Sequence, residues 1–275
     1  MIQQAFLTSW RTHAPWALDA QVEQDLVLAR ALVELFRDDG IRHRLVFRGG
    51  TALHKLFFDR PLRFSEDIDL VQAEAGPIGE VMDGVHRCLD SWLGRPQWKQ
   101  GQGRVTFCYR FRSETEPAAA MRLKVEVNTR EHFSVLGTTN RRLNVENPWF
   151  QGTAEIPTYP IEELLGTKLR ALFQRKKGRD LFDLWAASQR VRVDLDIVAD
   201  CFHRYLEHEG HAASRAEFEA NLHGKLADPG FGRDVEPLVA PGVEWDLDAA
   251  GTWALREIAP RLRGQPWRRP ESATP

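Results

Sequence analysis

Asp67 and Asp69 flank Ile68 in the segment FSEDIDLV, and two positions apart on an extended chain they point to the same side. Carboxylates held side by side repel each other, and a cation between them relieves that repulsion. A hard divalent ion such as Mg²⁺ takes carboxylate oxygens together with substrate phosphates. Upstream, the apolar run LVF leads into Gly49-Gly50-Thr51 and a short amphipathic stretch. Glycines at a strand-to-helix junction let backbone N–H groups approach phosphate oxygens, where the helix dipole favours an anion. A lone glycine pair is ordinarily a turn, and a lone Asp-x-Asp ordinarily a solvated strand. Their order and spacing together point to a site for a metal–nucleoside triphosphate. Ser65, at the turn entering the aspartate strand, is ordinarily a turn residue whose hydroxyl bonds local backbone; the sharper reading puts that hydroxyl within reach of the triphosphate or the metal shell.

A third acid lies further on. In RLKVEVN, Arg122, Lys124, Glu126 and Asn128 share one strand face, while Leu123, Val125 and Val127 share the other. Alone, these letters describe a half-solvated strand. Beside Asp67 and Asp69, Glu126 gains a sharper role, because nucleotidyl transfer with two metals needs an acid on the nucleophile side to hold an ion or accept a proton.

A second block, IEELLGTKLRALFQRKKGRDLFDLW, sets Leu165, Leu169 and Leu172 in an apolar helical stripe. It also concentrates Lys168, Arg170, Arg175, Lys176, Lys177 and Arg179 with no acid among them. Such a run is ordinarily a solvated face, yet it gathers positive potential where RNA would be attracted. Asp180 and Asp183 follow Gly178, and aspartates in a first helical turn also simply complement the dipole.

The glycine helix start followed by an Asp-x-Asp strand resembles the signature of DNA polymerase β-like nucleotidyltransferases. FRGGTALHK, RFSEDIDL, EELLGTKLRAL and GRDLFDLW are similar to the motifs of AbiEii/AbiGii toxins. These are nucleotidyltransferase toxins of bacterial type IV toxin–antitoxin systems, some of them phage-defence systems, and they include the MenT toxins. The likeness runs in ordered blocks over residues 40–190. It implies that Asp67, Asp69 and Glu126 hold Mg²⁺ or Mn²⁺ and that Gly49, Gly50 and Thr51 cradle the phosphates of an NTP. It further implies that Lys168 contacts those phosphates and that Asp180 is required, orienting Lys168 or Arg179. The acceptor implied is RNA, in particular the 3′ end of tRNA, with growth arrest relieved by a cognate antitoxin. Where the family has Gly-Ser, this chain has Gly50-Thr51, which keeps a hydroxyl for the phosphate. The residues leave other readings open. A protein or small-molecule hydroxyl could be the acceptor, or the chain could bind nucleotide as a regulator without turnover, although binding alone does not need Glu126.

The elements that must position these groups are partly legible. Val22, Leu26, Ala29, Val33 and Phe36 predict a helix over 17–38, ended by Asp39-Gly40. A strand over 43–48, a helix over 51–58, a strand over 67–71 and a helix over 77–93 follow. Alternation in 104–112 and 121–129 predicts antiparallel strands. The stretch NPWFQGTAEIPTYP, with its prolines and Gly152, is predicted to interrupt regular structure. Beyond it, helices are predicted over 161–174, 180–190, 194–208, 214–227 and 245–262. The expected fold is thus α/β (α+β), a polymerase β-like core with a mixed sheet followed by a helical region. The expected division is 1–155 as the transferase core with its N-terminal helix, 156–264 as a helical C-terminal domain, and 265–275 as a frayed tail.

Composition narrows the classes. At 275 residues and 43% hydrophobic the chain can bury a full core. A net charge of −2 argues against coating nucleic acid non-specifically but allows a local basic cleft. The nine tryptophans are dispersed, as core anchors are, rather than set in a base-stacking row. Cys88, Cys108 and Cys201 lack metal-ligand spacing and fit reduced thiols of a cytoplasmic protein, not a zinc site. No apolar run approaches the ~18 residues of a membrane span, and the start lacks a secretory pattern, so a cytoplasmic protein is expected.

Overall fold

A computed structural model describes residues 2–114 and 118–268. The chain forms two compact units, one of residues up to Pro160 with Ala240–Val243, the other of Ile161–Val239 and the chain from Glu244 onward.

The first unit carries helices α1 (Gln4–Trp10), α2 (Asp19–Arg37), α3 (Asp39–Arg42), α4 (Gly49–Leu56) and α5 (Gly79–Leu93). Its strands are β1 (Leu45–Arg48), β2 (Asp67–Gln72), β3 (Gln97–Gly101), β4 (Arg104–Arg112), β5 (Ala120–Asn128), β6 (Thr139–Asn147) and β7 (Phe150–Thr158). They join in one sheet of order β3-β4-β5-β2-β1-β7-β6. The sheet is mixed: β2 runs parallel to β5 and β1 to β7, and the other neighbours are antiparallel. Alternation in β2, β4 and β5 buries Ile68, Leu70, Val105, Phe107, Val125 and Val127, while the residues between them keep the opposite, polar face. Helix α2, buried along most of its length, packs against β5 and β7.

Four elements depart from the sequence expectation. Asp38 caps Ile41 N–H at 3.0 Å and starts the extra turn α3, where Asp39-Gly40 had been expected to end helical structure. The proline-rich stretch at 147–160 is not irregular but holds most of β7. That strand pairs along its length with β6 and meets β1 only at Phe47 opposite Thr158, so its other edge has donors outside the ladder, which is where Pro157 is tolerated. The edge strands β3 and β6 carry too little apolar alternation to be read as strands: β3 is exposed throughout, and β6 buries only Leu143, Val145 and Asn147.

The second unit is helical: α6 (Ile161–Gln174), α7 (Gly178–Arg190), α8 (Leu195–His208), α9 (Arg215–Leu226) and α10 (Leu247–Trp253). Ser214 and Glu217 form a reciprocal capping box that starts α9. After α10 the chain widens to a π-type turn over Ala254–Ile258 and tightens to a 3₁₀ turn over Ala259–Arg261, where Pro260 lacks the N–H needed to continue an α-helix. Trp267, within the stretch expected to fray, is tied down. Its N–H donates to Glu219 at 2.6 Å and its ring lies on His223; residues 269–275 lie outside the described residues. No described helix is long and apolar enough to cross a membrane.

Candidate active site

Strand register assembles the site. Asp69 on β2 stands opposite Arg48 on β1 and Glu126 on β5; Glu126 stands opposite Thr106 on β4, and Thr106 opposite Lys99 on β3. Directly opposed residues share a face, so Arg48, Asp69, Glu126, Thr106 and Lys99 form one polar row across five strands. One step along, Asp67 stands opposite Lys124. The Lys124 ammonium lies 3.6 Å from Asp67 Oδ2 and 3.1 Å from Glu126 Oε2. Thr106 and Arg104 also reach Glu126, at 3.5 Å and 4.0 Å. Arg48 is tied to Glu131 at 2.9 Å.

The glycine pair has a steric cause. Gly49 has φ 83°, and a β-carbon there would stand 2.5 Å from Asp69 Oδ2. A β-carbon on Gly50 would run into the guanidinium of Arg63, which is itself buried. The two glycines thus let a carboxylate and a guanidinium close on the start of α4. Arg48, at the N-cap, places no side-chain hydrogen bond on the first turn of that helix, and a helix start favours an anion. The far end of α4 is fixed by Lys55, whose ammonium sits 2.6 Å from the buried Asp25 of α2. Trp10 and Trp16 donate their indole N–H groups to the same carboxylate.

Thr51 is buried, and its hydroxyl donates to Asp67 O at 2.6 Å and pairs with Ser65 Oγ at 2.8 Å. Both hydroxyls therefore act as struts between α4 and β2. The sequence had offered them to a phosphate; in the structure buried Thr51 bonds the Asp67 carbonyl, and half-buried Ser65 bonds Thr51.

Burial raises the pKa of Asp67 above its ordinary value; Lys124 pulls it down and Glu66 pushes it up. The donor set, oxygen only, fits a hard divalent ion completed by triphosphate oxygens. Among the described residues no three acidic, His or Cys side chains form a ready metal cage. Register brings Asp67, Asp69 and Glu126 together, and Lys124 engages both Asp67 and Glu126.

Lys168 and Asp180 lie in the second unit. Lys168, 8% exposed, reaches Asp183 at 2.9 Å and Asp180 at 3.4 Å, and both aspartates are fully buried. Arg175 grips Asp180 through two nitrogens at 2.7 and 2.8 Å. Burial would raise the pKa of Asp180, but Lys168 and Arg175 outweigh it and hold the carboxyl below its ordinary range. Asp180 contacts Lys168, and its second cation is Arg175, where the sequence had offered Arg179. The rest of the basic run is partly neutralised: Arg170 pairs with Glu209 at 2.9 Å and Lys176 with Asp228, while Lys177 stays exposed and Arg179 half-buried. Sequence reasoning missed Arg48; it offered Lys124 only as a charge partner of the acids, Arg63 only as a neighbour of Ser65, and Asp183 as a weaker companion of Asp180. Only pairing register and helix packing choose such partners.

An uncapped helix start, paired aspartates on the next strand and a third acid in register beside them define a polymerase β-like nucleotidyltransferase core. The family model for the nucleotidyl transferase AbiEii toxin of type IV toxin–antitoxin systems matches residues 30–253. The chain belongs to that family and is a nucleotidyltransferase, whose partners are an NTP and an antitoxin. Among solved structures it is similar to MenT4, a nucleotidyltransferase toxin from Mycobacterium tuberculosis H37Rv. That match has a TM-score of 0.66 at 20% identity and covers 94% of this chain and 89% of the other. JHP933 from Helicobacter pylori matches with a TM-score of 0.52 at 17% identity, over 88% of this chain and 91% of the other. Among curated proteins no sequence matches.

Proposed function

We propose that this toxin uses Mg²⁺ to transfer NMP from an NTP to RNA, at the 3′ end of tRNA, so that the tRNA no longer accepts an amino acid and growth stops. The transfer takes place in the cytoplasm, where its NTP and tRNA substrates are. The observation that carries the reading is the polar row Arg48–Asp69–Glu126, with the open start of α4 beside its first members.

In this scheme Asp67 and Asp69 would hold a divalent ion, which when bound would supply neutralisation of phosphate charge. Backbone N–H groups at Gly49–Thr51 receive the phosphates, with Ser65 and Thr51 fixing the loop. An acceptor hydroxyl oxygen bonds the α-phosphorus, the bond to the bridging oxygen breaks, and pyrophosphate departs. The hydroxyl proton passes to Glu126, which Lys124 and Arg104 contact and orient. Lys168 and Asp180 are required for turnover. Positioning and charge neutralisation supply most of the rate.

The test is incubation of purified protein with Mg²⁺, each labelled NTP and total RNA. Label at the 3′ end of tRNA, absent with Asp69→Asn, is the expected result. Label confined to protein or to small molecules would move the acceptor to another class.

A further inference from the structure

The polar row continues past Glu126 into a cavity of about 510 Å³, lined by side chains of β3, β4 and β5, by the turn that joins β3 to β4, and by Arg130. Every lining residue is polar, charged or glycine, and three of them, Lys99, Arg104 and Arg130, are cations. Arg104 reaches Glu126 at 4.0 Å and is 61% exposed. Among the described residues neither Lys99 nor Arg130 has an acidic partner. Arg130 is nonetheless held in place. Gly103, with φ 80°, lets its stem lie against the turn where any β-carbon would collide with it, and Gly103 O accepts the N–H of Thr129 at 3.0 Å.

In strand order the cavity lies on the opposite side of the carboxylates from the open start of α4. An in-line displacement puts the attacking and leaving oxygens on opposite sides of the phosphorus. If the triphosphate sits at α4, the acceptor arrives over β5, β4 and β3. We infer that this cavity is the acceptor subsite, where Lys99, Arg104 and Arg130 hold the phosphodiester backbone of RNA so that its terminal hydroxyl meets Glu126. The inference rests on the proposal that the acceptor is RNA and adds where RNA is gripped. A lining without apolar or aromatic side chains gives no platform for bases, so the grip is on backbone phosphates and carries no sequence information.

The experiment measures binding of a tRNA transcript and of single-stranded RNA across a salt series without NTP, then steady-state transfer. The variants are Lys99→Ala, Arg104→Ala, Arg130→Ala and the triple, with Arg104→Lys and Arg130→Lys as charge-keeping controls and Arg95→Ala as an off-site control. For single-stranded RNA, each alanine variant should lower the slope of log K against log salt by about 0.7 and the triple by about 2, with no change for the controls. The triple variant should raise KM for RNA at least about tenfold while KM for NTP stays put, since only phosphate contacts outside the NTP site are lost. A triple variant with wild-type salt slope and RNA KM overturns the subsite and leaves RNA as the acceptor. A KM for NTP rising in step would make the cavity an NTP site and overturn it too. Failure of the wild type to label any RNA while it binds NTP would remove the RNA reading and this inference together.

Discussion

Asp69 lies against Gly49 and stands opposite both Arg48 and Glu126, so small changes there act on charge and shape at once. Asp69→Asn keeps the shape and removes the charge. It should cut transfer by at least about a thousandfold, the scale of losing a principal electrostatic stabiliser, with the melting temperature unchanged or raised because repulsion is relieved. Transfer assays beside thermal unfolding check this, and near-wild-type turnover would remove Asp69 from the site. Gly49→Ala keeps the charge and alters the shape. A left-handed residue with a β-carbon costs about 1–2 kcal/mol, and here that carbon also displaces the carboxylate. Stability should fall by that order and transfer far more. At this scale the sequence showed the acids well, because alternation on a strand fixes which side they face. It concealed Arg48, which owes its place opposite Asp69 to strand register.

At the scale of elements, the buried charges on α7 and α2 lead to different outcomes. Asp180 carries Lys168 and Arg175, and removing one partner of a buried cluster typically costs about 3–5 kcal/mol. Asp180→Ala should therefore lower resistance to denaturant in the second unit as well as activity. If activity vanished with the denaturation midpoint unmoved, the role of Asp180 would be chemical alone. Glu23 on α2 is fully buried, with Oε1 lacking a hydrogen-bond partner, and burial pushes its pKa from 4.5 to about 7. The folded state then binds the proton more tightly than the unfolded chain between those values. Its contribution to stability is present below pH 4.5 and lost as pH rises through about 7. Glu23→Gln, which mimics the protonated acid, should gain on wild type over that window by on the order of 2 kcal/mol. Denaturant titrations at pH 5 and pH 8, on the two sides of that shift, measure the gap, and a pH-independent difference would refute the assignment. Helix α9 was expected over 214–227, and its Ser214–Glu217 capping box is local in the chain. Strands β3, β6 and β7 were not expected, because two are edges with little apolar alternation and the third tolerates proline through its one-sided pairing.

For the whole molecule, membership of a toxin family turns the site into a phenotype. Expression of the wild type should arrest growth, co-expression of the antitoxin should lift the arrest, and the Asp69→Asn chain should leave growth alone. Arrest by that variant would mean that toxicity does not depend on transfer. Chelation should abolish transfer in vitro, and Mg²⁺ should restore it. The sequence by itself determined the class: a glycine helix start, Asp67-x-Asp69, Glu126 on an alternating strand, and the motifs around Lys168 and Asp180 are local patterns whose geometry follows from strand and helix periods. Only the tertiary structure decided which groups meet. The parallel register of β2 with β5 sets Glu126 beside Asp69 and Lys124 beside Asp67, and helix packing buries Asp183 against Lys168. Pairing across a sheet joins residues distant in the chain. A shift of one position would send each side chain to the other face, so no local pattern can fix those partners.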